Sequence, residues 1–307
     1  DNYYRNNLRN YFSYTCCNNI EKEVTYNRRE GGKAMISVKN LTRNFSSGEA
    51  EVKALKGVSF DVGKGELMAL IGGSGAGKSV ILKHLDGLMD PLDGYVEIDG
   101  RRISGAPEKI KKQIRSNIGF MFQQGALFDS LSVEENVAFP LREAGIRDEN
   151  ELDTRISAAL DSVGLLGQQE KMPASLSGGM IKRVAVARAI ITTPECLLYD
   201  EPTAGLDPIV TDSISFLIRR ICKDKGITTV IVSHDMPSVI RIADKIVYLR
   251  NGEVYWTGTP EELLHSKDEI LQKFLYGDSG ENWAALSGKN ENFQRVLLER
   301  AERERKQ

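Results

Sequence analysis

The chain has 307 residues, of which 41% are hydrophobic and 27% are charged, a composition typical of a globular protein with one large domain or two modest ones. Its 41 lysine and arginine residues nearly balance its 43 aspartate and glutamate residues, and a formal net charge of -2 argues against bulk electrostatic binding of nucleic acid. No apolar run approaches about 18 residues, so no segment is predicted to span a bilayer.

Residues 1–34 differ in composition from the rest of the chain. They contain half of its ten tyrosine residues and show no clear hydrophobic periodicity. We expect this stretch to be either an upstream segment, with the natural product starting at Met35, or a disordered arm. Residues 29–32 can be encoded by a purine-rich run that resembles a bacterial ribosome-binding site, which favours the first interpretation.

From residue 35 onward, short apolar runs of strand type alternate with segments of helical spacing. Strands are predicted at 35–39, 55–62, 66–71, 95–99, 118–122, 196–199, 228–232 and 245–249. Helices are predicted at 78–89, 181–191 and 208–223, and helical spacing with few strand signals runs from about 132 to 189. This alternation predicts a mostly parallel sheet covered on both faces, with a helical insertion. Residues 290–307 predict a charged terminal helix that is either solvated or in contact with a partner.

The first motif that carries chemistry fits G-x-x-x-x-G-K-[ST], follows an apolar strand and opens a helix. Its residues are Gly72, Gly73, Ser74, Gly75, Ala76, Gly77, Lys78 and Ser79. Glycines let backbone N–H groups wrap a phosphate, and the helix N-terminus adds its dipole. Lys78 supplies a positive charge for the β- and γ-phosphates, and the Ser79 hydroxyl suits Mg²⁺. The motif predicts binding of a nucleoside triphosphate.

Two carboxylates, Asp200 and Glu201, end a second apolar strand. At the carboxyl end of a parallel strand they would face the crevice beside the phosphate loop. Asp200 suits Mg²⁺ or its water shell, and Glu201 suits a general base that polarises the attacking water. The alternative is an acidic loop after a core strand, but hydrolysis needs a base that the metal does not consume, and this pair provides one.

The third motif is a serine followed by two glycines at the start of a long helix: Ser177, Gly178 and Gly179. This arrangement is typical of a second anion-binding helix end. A serine N-cap explains the serine but not the two glycines after it. Taken alone, the motif leaves both interpretations open.

In this order the motifs resemble those of the nucleotide-binding subunit of ATP-binding-cassette (ABC) proteins, over about residues 35–275. The third motif resembles the family's signature loop, with Met180 in place of the usual glutamine. The resemblance implies roles for further residues. It makes Gln123 the glutamine-loop residue with catalytic and metal contacts, His234 the switch histidine, Asp207 the D-loop aspartate, Phe45 the aromatic that stacks on adenine and Val80 part of the nucleotide site. The alternative for Phe45 is a core residue at the end of the first strand.

The same resemblance implies a fold and an assembly. The fold would be the α/β P-loop NTPase fold of ABC ATPases, with a mostly parallel sheet core, an antiparallel β subdomain and an inserted helical subdomain. Residues 35–276 would form the ATPase domain, about 124–190 its helical subdomain and 277–307 a C-terminal helical extension. Two subunits would pair head to tail, so that the phosphate loop of one and the signature loop of the other enclose ATP and Mg²⁺.

Two classes of ABC protein are left open: the ATPase subunit of a membrane transporter, and a soluble ATPase such as one in iron–sulfur cluster assembly. Residues 125–141 resemble the phospholipid-transport branch, also called the Mla or toluene-tolerance type, and this branch implies permease subunits, a lipid-binding substrate protein and a place on the cytoplasmic membrane face. Amino-acid and ion importers share part of this segment and are the alternative. Leu127, Phe128 and Leu131 are expected to be exposed and to receive a permease helix. The alternative is that they belong to the core of the helical subdomain.

Overall fold

The computed structural model describes residues 34–47 and 50–276. The predictions for the first 33 residues and for the terminal helix at 290–307 lie outside these residues. The described strands are β1 (Ile36–Ser47), β2 (Ala50–Val62), β3 (Leu67–Gly72), β4 (Asp93–Ile98), β5 (Arg101–Arg102), β6 (Ile118–Met121), β7 (Cys196–Asp200), β8 (Thr228–Val232), β9 (Lys245–Arg250) and β10 (Glu253–Gly258). The described helices are α1 (Lys78–Leu85), α2 (Glu108–Arg115), α3 (Val133–Glu143), α4 (Glu149–Ser162), α5 (Gly178–Ile190), α6 (Pro208–Lys225), α7 (Met236–Ile242), α8 (Pro260–Leu264) and α9 (Glu269–Tyr276).

A six-stranded sheet forms the centre of the molecule, in the order β10-β9-β3-β8-β7-β6. Every pair in it is parallel except the antiparallel β9–β10 pair at one edge. All the residues of β3 and β8 are buried, as expected for strands covered on both faces. The prediction of a mostly parallel core is therefore confirmed.

A second sheet, in the order β2-β1-β4-β5, is antiparallel throughout. Its apolar residues share one buried cluster with α1 and with one face of the central sheet, and this cluster includes Val38, Leu55, Leu82 and Val96. The antiparallel subdomain implied by the resemblance is thus present, and it packs directly on the helix that follows β3.

The chain between β6 and β7 is helical in the described residues, as the fold class requires. The Ser132 hydroxyl accepts a hydrogen bond from the Glu135 amide, and the Glu135 carboxylate accepts one from the Ser132 amide, so a capping box starts α3. Asn136, which is fully buried, accepts from the Phe128 amide at 2.8 Å and donates to the carbonyl of Leu131 at 2.9 Å. The segment that enters the helical insertion is therefore fixed to α3.

Several element ends differ from their predicted positions. The first helix ends at Leu85 rather than residue 89, because Gly87 takes a left-handed φ of 67° that a helix cannot continue through. The third-motif helix begins at Gly178 rather than 181, since Ser177 caps it. Segments such as α2 and β10 were not predicted: α2 has only two apolar residues, Ile110 and Ile114, among eight, and β10 is a short strand with no fully buried residue. Among the described residues, no helix combines the length and the apolar character needed to cross a membrane.

The packing of β6 against α5 generates the first testable prediction. A Cβ at Gly119 would lie 2.2 Å from the Ala189 carbonyl oxygen and 2.6 Å from Cδ2 of Leu197. Gly119→Ala is expected to lower the free energy of unfolding by about 1–3 kcal/mol, because helix and strand must separate. Gly63→Ala is the control, since its nearest contact would be an ordinary 3.4 Å to the Glu66 carboxylate. Equal denaturation midpoints for the two variants would contradict this account.

Candidate active site

The register of three parallel strands brings the candidate residues to one edge of the central sheet. Leu70 of β3 pairs with Val232 of β8, and Val232 pairs with Asp200 of β7. The loops after these strands therefore leave the sheet side by side, at the strand carboxyl ends where ligands bind in open α/β sheets. The phosphate loop follows β3, Glu201 follows β7 and His234 follows β8.

The phosphate loop needs glycine for two different close approaches. A Cβ at Gly72 would lie 2.4 Å from the Leu249 carbonyl oxygen of β9. A Cβ at Gly77 would lie 2.7 Å from Cδ2 of Leu55 and 2.8 Å from the Ala54 carbonyl, and Gly77 also has a φ of 101°. The loop therefore packs closely between β9 and β2, and α1 begins at Lys78, directly after Gly77. This is the strand–loop–helix context in which backbone amides and a helix N-terminus bind phosphate.

Lys78 lies within the phosphate loop. Its Nζ donates to the carbonyl oxygens of Gly72 at 2.8 Å and Gly73 at 3.0 Å. Burial lowers the pKa of Lys78, and the carboxylates of Glu201 and Asp200 oppose this shift. The ammonium group is the point charge that the motif predicts for the phosphates.

Ser79 and Asp200 meet directly, although 121 positions separate them in the chain. The Ser79 hydroxyl donates to Oδ1 of Asp200 at 3.2 Å. Burial raises the pKa of Asp200, the hydrogen bond from Ser79 opposes that shift, and the charge of Glu201 adds to it. A hydroxyl and a partly desolvated carboxylate at this separation form a donor set that fits Mg²⁺. No cluster of three or more His, Cys, Asp or Glu in the described part of the chain could hold a metal, so phosphate oxygens would have to complete the coordination.

Glu201 and His234 form the closest acid–base pair of the site. Oε2 of Glu201 lies 2.7 Å from Nδ1 of His234 and accepts from the His234 amide at 3.3 Å. The Glu201 side chain is 14% exposed, whereas the His234 side chain is 69% exposed. Glu201 has a φ of 49°, the left-handed region, while its amide donates to the Val232 carbonyl at 2.9 Å. The unusual backbone turns the carboxylate toward the neighbouring strand, and His234 holds it there.

Gln123 lies at the same edge of the sheet. It stands two residues beyond Met121, which pairs with Tyr199, and Glu201 stands two residues beyond Tyr199. Gln123 is exposed, and its backbone carbonyl accepts a hydrogen bond from the ammonium of Lys182 on α5. Gln123 therefore follows β6 at the edge of the sheet where Glu201 follows β7, and its catalytic and metal roles stay predictions.

Phe45 is 36% exposed on β1, so the alternative of a core phenylalanine does not hold. The guanidinium of Arg43 lies 5.3 Å from the centroid of the Phe45 ring. On β2, Val52 pairs with Phe45 across the strands and is 54% exposed. Residues 54 and 55, which contact Gly77, follow Val52 closely, so this apolar pair lies on the sheet edge that leads to the phosphate loop. The sequence analysis did not identify Val52 as a neighbour of Phe45. The pairing of β1 with β2 is what reveals it. Val80 is half-buried against the antiparallel cluster, and its carbonyl is bonded to His84.

The signature residues lie against the turn that contains Asp207. Ser177 accepts from the Met180 amide at 3.3 Å and caps α5, and Asp207 accepts from two amides at 3.0 Å each and caps α6. A Cβ at Gly179 would lie 2.7 Å from Cγ1 of Val210, which gives this glycine a packing role that the cap does not explain. Among the described residues, no hydrogen bond joins Ser177, Gly178, Gly179 or Asp207 to the phosphate loop.

These features define a P-loop ATPase with a mostly parallel core, an antiparallel subdomain and a helical insertion. The chain belongs to the ABC transporter family, and the sequence pattern of this family matches residues 55–204. It is an ATP-binding, ATP-hydrolysing subunit of that family.

Relatives and solved structures agree with this assignment. The chain is 38% identical to the intermembrane phospholipid transport system ATP-binding protein MlaF of Haemophilus influenzae, over 80% of this chain and 91% of that protein. It is 42% identical to the methionine import ATP-binding protein MetN of Carboxydothermus hydrogenoformans, over 78% of this chain and 71% of that protein. The dimeric ATP-binding cassette MJ0796 bound to ADP and Pi is 34% identical, with a TM-score of 0.69, over 74% of this chain and 99% of that one.

The geometry of Glu201 generates the second prediction. Glu201→Gln is expected to bind ATP but to hydrolyse it about 10²–10⁴-fold more slowly, because the amide cannot accept a proton from water. Glu195→Gln is the matched control, since Glu195 is exposed at the opposite end of the same strand, away from Ser79 and His234. Steady-state phosphate release and ATP binding on both variants check this. Near-normal turnover by Glu201→Gln would remove Glu201 from the role of base.

Proposed function

We propose that this subunit works as a head-to-tail homodimer on the cytoplasmic face of a membrane, where it drives a permease that moves phospholipid between membranes. The observation that carries the lipid assignment is the segment 125–141, which follows the glutamine loop and resembles the phospholipid-transport branch. The MlaF relative, matched over 91% of its length, supports this choice. The runner-up is an importer of amino acids, which the MetN relatives support.

Two separate helix ends that suit anion binding support the dimer. One is the phosphate loop at α1, and the other is the signature end at α5, which contacts the Asp207 turn instead of the phosphate loop. Because the two helix ends do not meet within one chain, a single nucleotide bound at α1 would not reach the signature end of that chain. A head-to-tail twofold dimer brings the phosphate loop of one chain and the signature end of the other to the same nucleotide. A related cassette that is dimeric with ADP and Pi bound supports this arrangement.

The residues at the sheet edge divide the work of hydrolysis. Lys78 and the loop amides bind the β- and γ-phosphates, Glu201 takes a proton from the attacking water, and His234 orients the carboxylate through the 2.7 Å contact. Ser79 and Asp200, with Gln123 as a further oxygen donor, would hold Mg²⁺, which supplies positive charge to the phosphate oxygens. Phe45 would stack on the adenine ring.

The apolar residues that were expected to contact a permease are half-buried. Leu127 packs against the core cluster that the helical insertion shares with the central sheet. Phe128 packs against the other cluster, with its ring 4.8 Å from that of Phe139. These two side chains are half-buried, so they are not the exposed apolar contact that the sequence suggested. Between residues 124 and 131 the exposed side chains are polar, at Gln124, Asp129 and Ser130, and Leu131 is half-buried like the other two apolar residues. We therefore assign the permease contact to these three polar residues, which we call the polar tip. Asn136 fixes the backbone around the tip through its hydrogen bonds to Phe128 and Leu131.

Head-to-tail pairing generates a prediction for mixed dimers. Lys78→Ala removes the positive charge for the phosphates from the phosphate loop of one chain, and Ser177→Arg, made in a separate chain, places bulk at the signature end of that second chain. In a dimer that contains one chain of each variant, both defects can fall on one shared site and leave the other intact. The mixture is therefore expected to recover ATP hydrolysis above either parent, to about a quarter of the wild-type rate if equal amounts pair at random and the sites act independently.

Phosphate release by the mixture, with each parent alone at equal total concentration as control, measures this recovery. A mixture no more active than its parents would contradict the shared site, provided that mass spectrometry shows that mixed dimers have formed.

The permease and lipid assignments are tested together by complex recovery from native membranes. The wild-type chain, purified in mild detergent, is expected to bring down a polytopic permease with bound phospholipid. Ser130→Arg is expected to lower permease recovery about tenfold or more, because it drives a charge into a buried contact. Thr154→Arg is the matched control, since Thr154 is a small exposed hydroxyl residue on α4 of the same subdomain.

Lipid analysis of the recovered complex separates the branches. A permease without phospholipid but with an amino-acid-binding partner would support the importer instead, and a soluble scaffold in place of a permease would contradict both.

A further inference from the structure

Residues 123–126, which we call the glutamine turn, have an unusual backbone. Gly125 has a φ of 73° and Ala126 a φ of 47°, so two successive residues lie in the left-handed region. For Ala126 this conformation costs about 1 kcal/mol or more, so the surroundings must hold it. The Gly125 amide donates back to the Phe122 carbonyl at 2.8 Å, which closes the turn.

The glutamine turn packs directly on α5, the helix that the signature residues open. A Cβ at Gly125 would lie 3.3 Å from Cγ2 of Ile181 and 3.4 Å from Cβ of Ala185. Gly125 is itself buried. The left-handed backbone turns carbonyl oxygens of the turn toward the helix, where they need donors.

Two buried cations of α5 supply those donors. The Lys182 ammonium donates to the Gln123 carbonyl. The Arg188 guanidinium donates to the Gly125 carbonyl at 2.6 Å and to the Ala126 carbonyl at 2.9 Å. Lys182 is 6% exposed and Arg188 is 3% exposed, so these charge-assisted hydrogen bonds are shielded from water. Three carbonyl oxygens of one four-residue turn are thus held by one helix.

We propose that Lys182 and Arg188 are positioning residues that lock the glutamine turn to the signature helix, so that movement of this helix carries Gln123 with it. The Ser177 end of α5 would meet the nucleotide held by the partner subunit, and the turn leads into the polar tip assigned to the permease. With these hydrogen bonds in place, α5 and the glutamine turn move as one rigid body. This body joins the contact with the nucleotide to the contact with the permease. Only this last step rests on the proposed function, whereas the lock itself is a property of the single chain.

The charge of Glu201 gives a second link from the lock to the reaction. Burial lowers the pKa of Lys182, and the Glu201 carboxylate opposes this shift. The same ammonium that holds Gln123 therefore lies in the field of the candidate base. Loss of Lys182 is expected to misplace Gln123 relative to Glu201 without touching the phosphate loop.

The test compares variants of the full chain by amide hydrogen exchange and by ATP hydrolysis. Lys182→Met keeps much of the side-chain volume but removes the donor. Exchange in residues 122–128 is expected to rise about tenfold, and kcat to fall about tenfold with the KM for ATP within about twofold, since a charged hydrogen bond to the turn is lost. Exchange in β3 should not change. Lys182→Arg should restore both properties.

Two further variants keep the test decisive. Arg188→Lys retains the charge but loses the two-pronged contact, and should raise exchange in 122–128 even though Lys182 is intact. Arg183→Met is the matched control, because Arg183 lies on the same helix and donates to the Val163 carbonyl and to Ser213 instead of the turn. It should leave exchange in 122–128 at the wild-type level.

Three results would overturn the lock. One is unchanged exchange in 122–128 for both Lys182→Met and Arg188→Lys. Another is an equal rise for Arg183→Met. The third is a fall in kcat for Lys182→Met without faster exchange, which would mean that Lys182 acts through Glu201 alone. Absence of ATP hydrolysis in the wild-type chain would count against the proposed function, and the exchange comparison would still decide the lock.

Discussion

The parallel pairing of β3, β8 and β7 is the constraint on which the site depends. Because Leu70, Val232 and Asp200 stand in one row, the phosphate loop, His234 and Glu201 must emerge at the same edge. The 3.2 Å contact of Ser79 with Asp200 and the 2.7 Å contact of Glu201 with His234 follow from that row. A slip of one residue in the β7–β8 pair would turn the side chains of β7 to the opposite face and separate both contacts.

The sequence predicts the parts of the site that are local in the chain. The phosphate loop needs only its glycines, its lysine and the flanking strand and helix, all within a short window. The parallel core was also predictable, since alternating apolar strands and helical segments require it. The end of α1 was not, because a left-handed glycine at 87 stops the helix where the apolar period alone continues.

Contacts between distant segments could not be predicted from any local pattern. Lys182 and Gln123 are 59 positions apart, and Arg188 and Gly125 are 63 apart. In the sequence Lys182 is only one of several basic residues on a helix, where a solvated position is the usual outcome. For Leu127 and Phe128 the sequence predicted exposure, and the structure shows partial burial. An apolar pair in a loop is exposed only if no core lies next to it, and here Leu127 packs against one core cluster and Phe128 against the other.

Glu201 has an electrostatic part in the site as well as a chemical one. Its carboxylate supports the charged form of Lys78 in the phosphate loop and of Lys182 under the glutamine turn, against burial that disfavours both charges. The same carboxylate disfavours ionisation of Asp200 beside it. A neutral side chain at 201 would lower the pKa of both lysines further and ease ionisation of Asp200. One carboxylate at the end of β7 therefore acts electrostatically on both the phosphate loop and the helix that holds the glutamine turn.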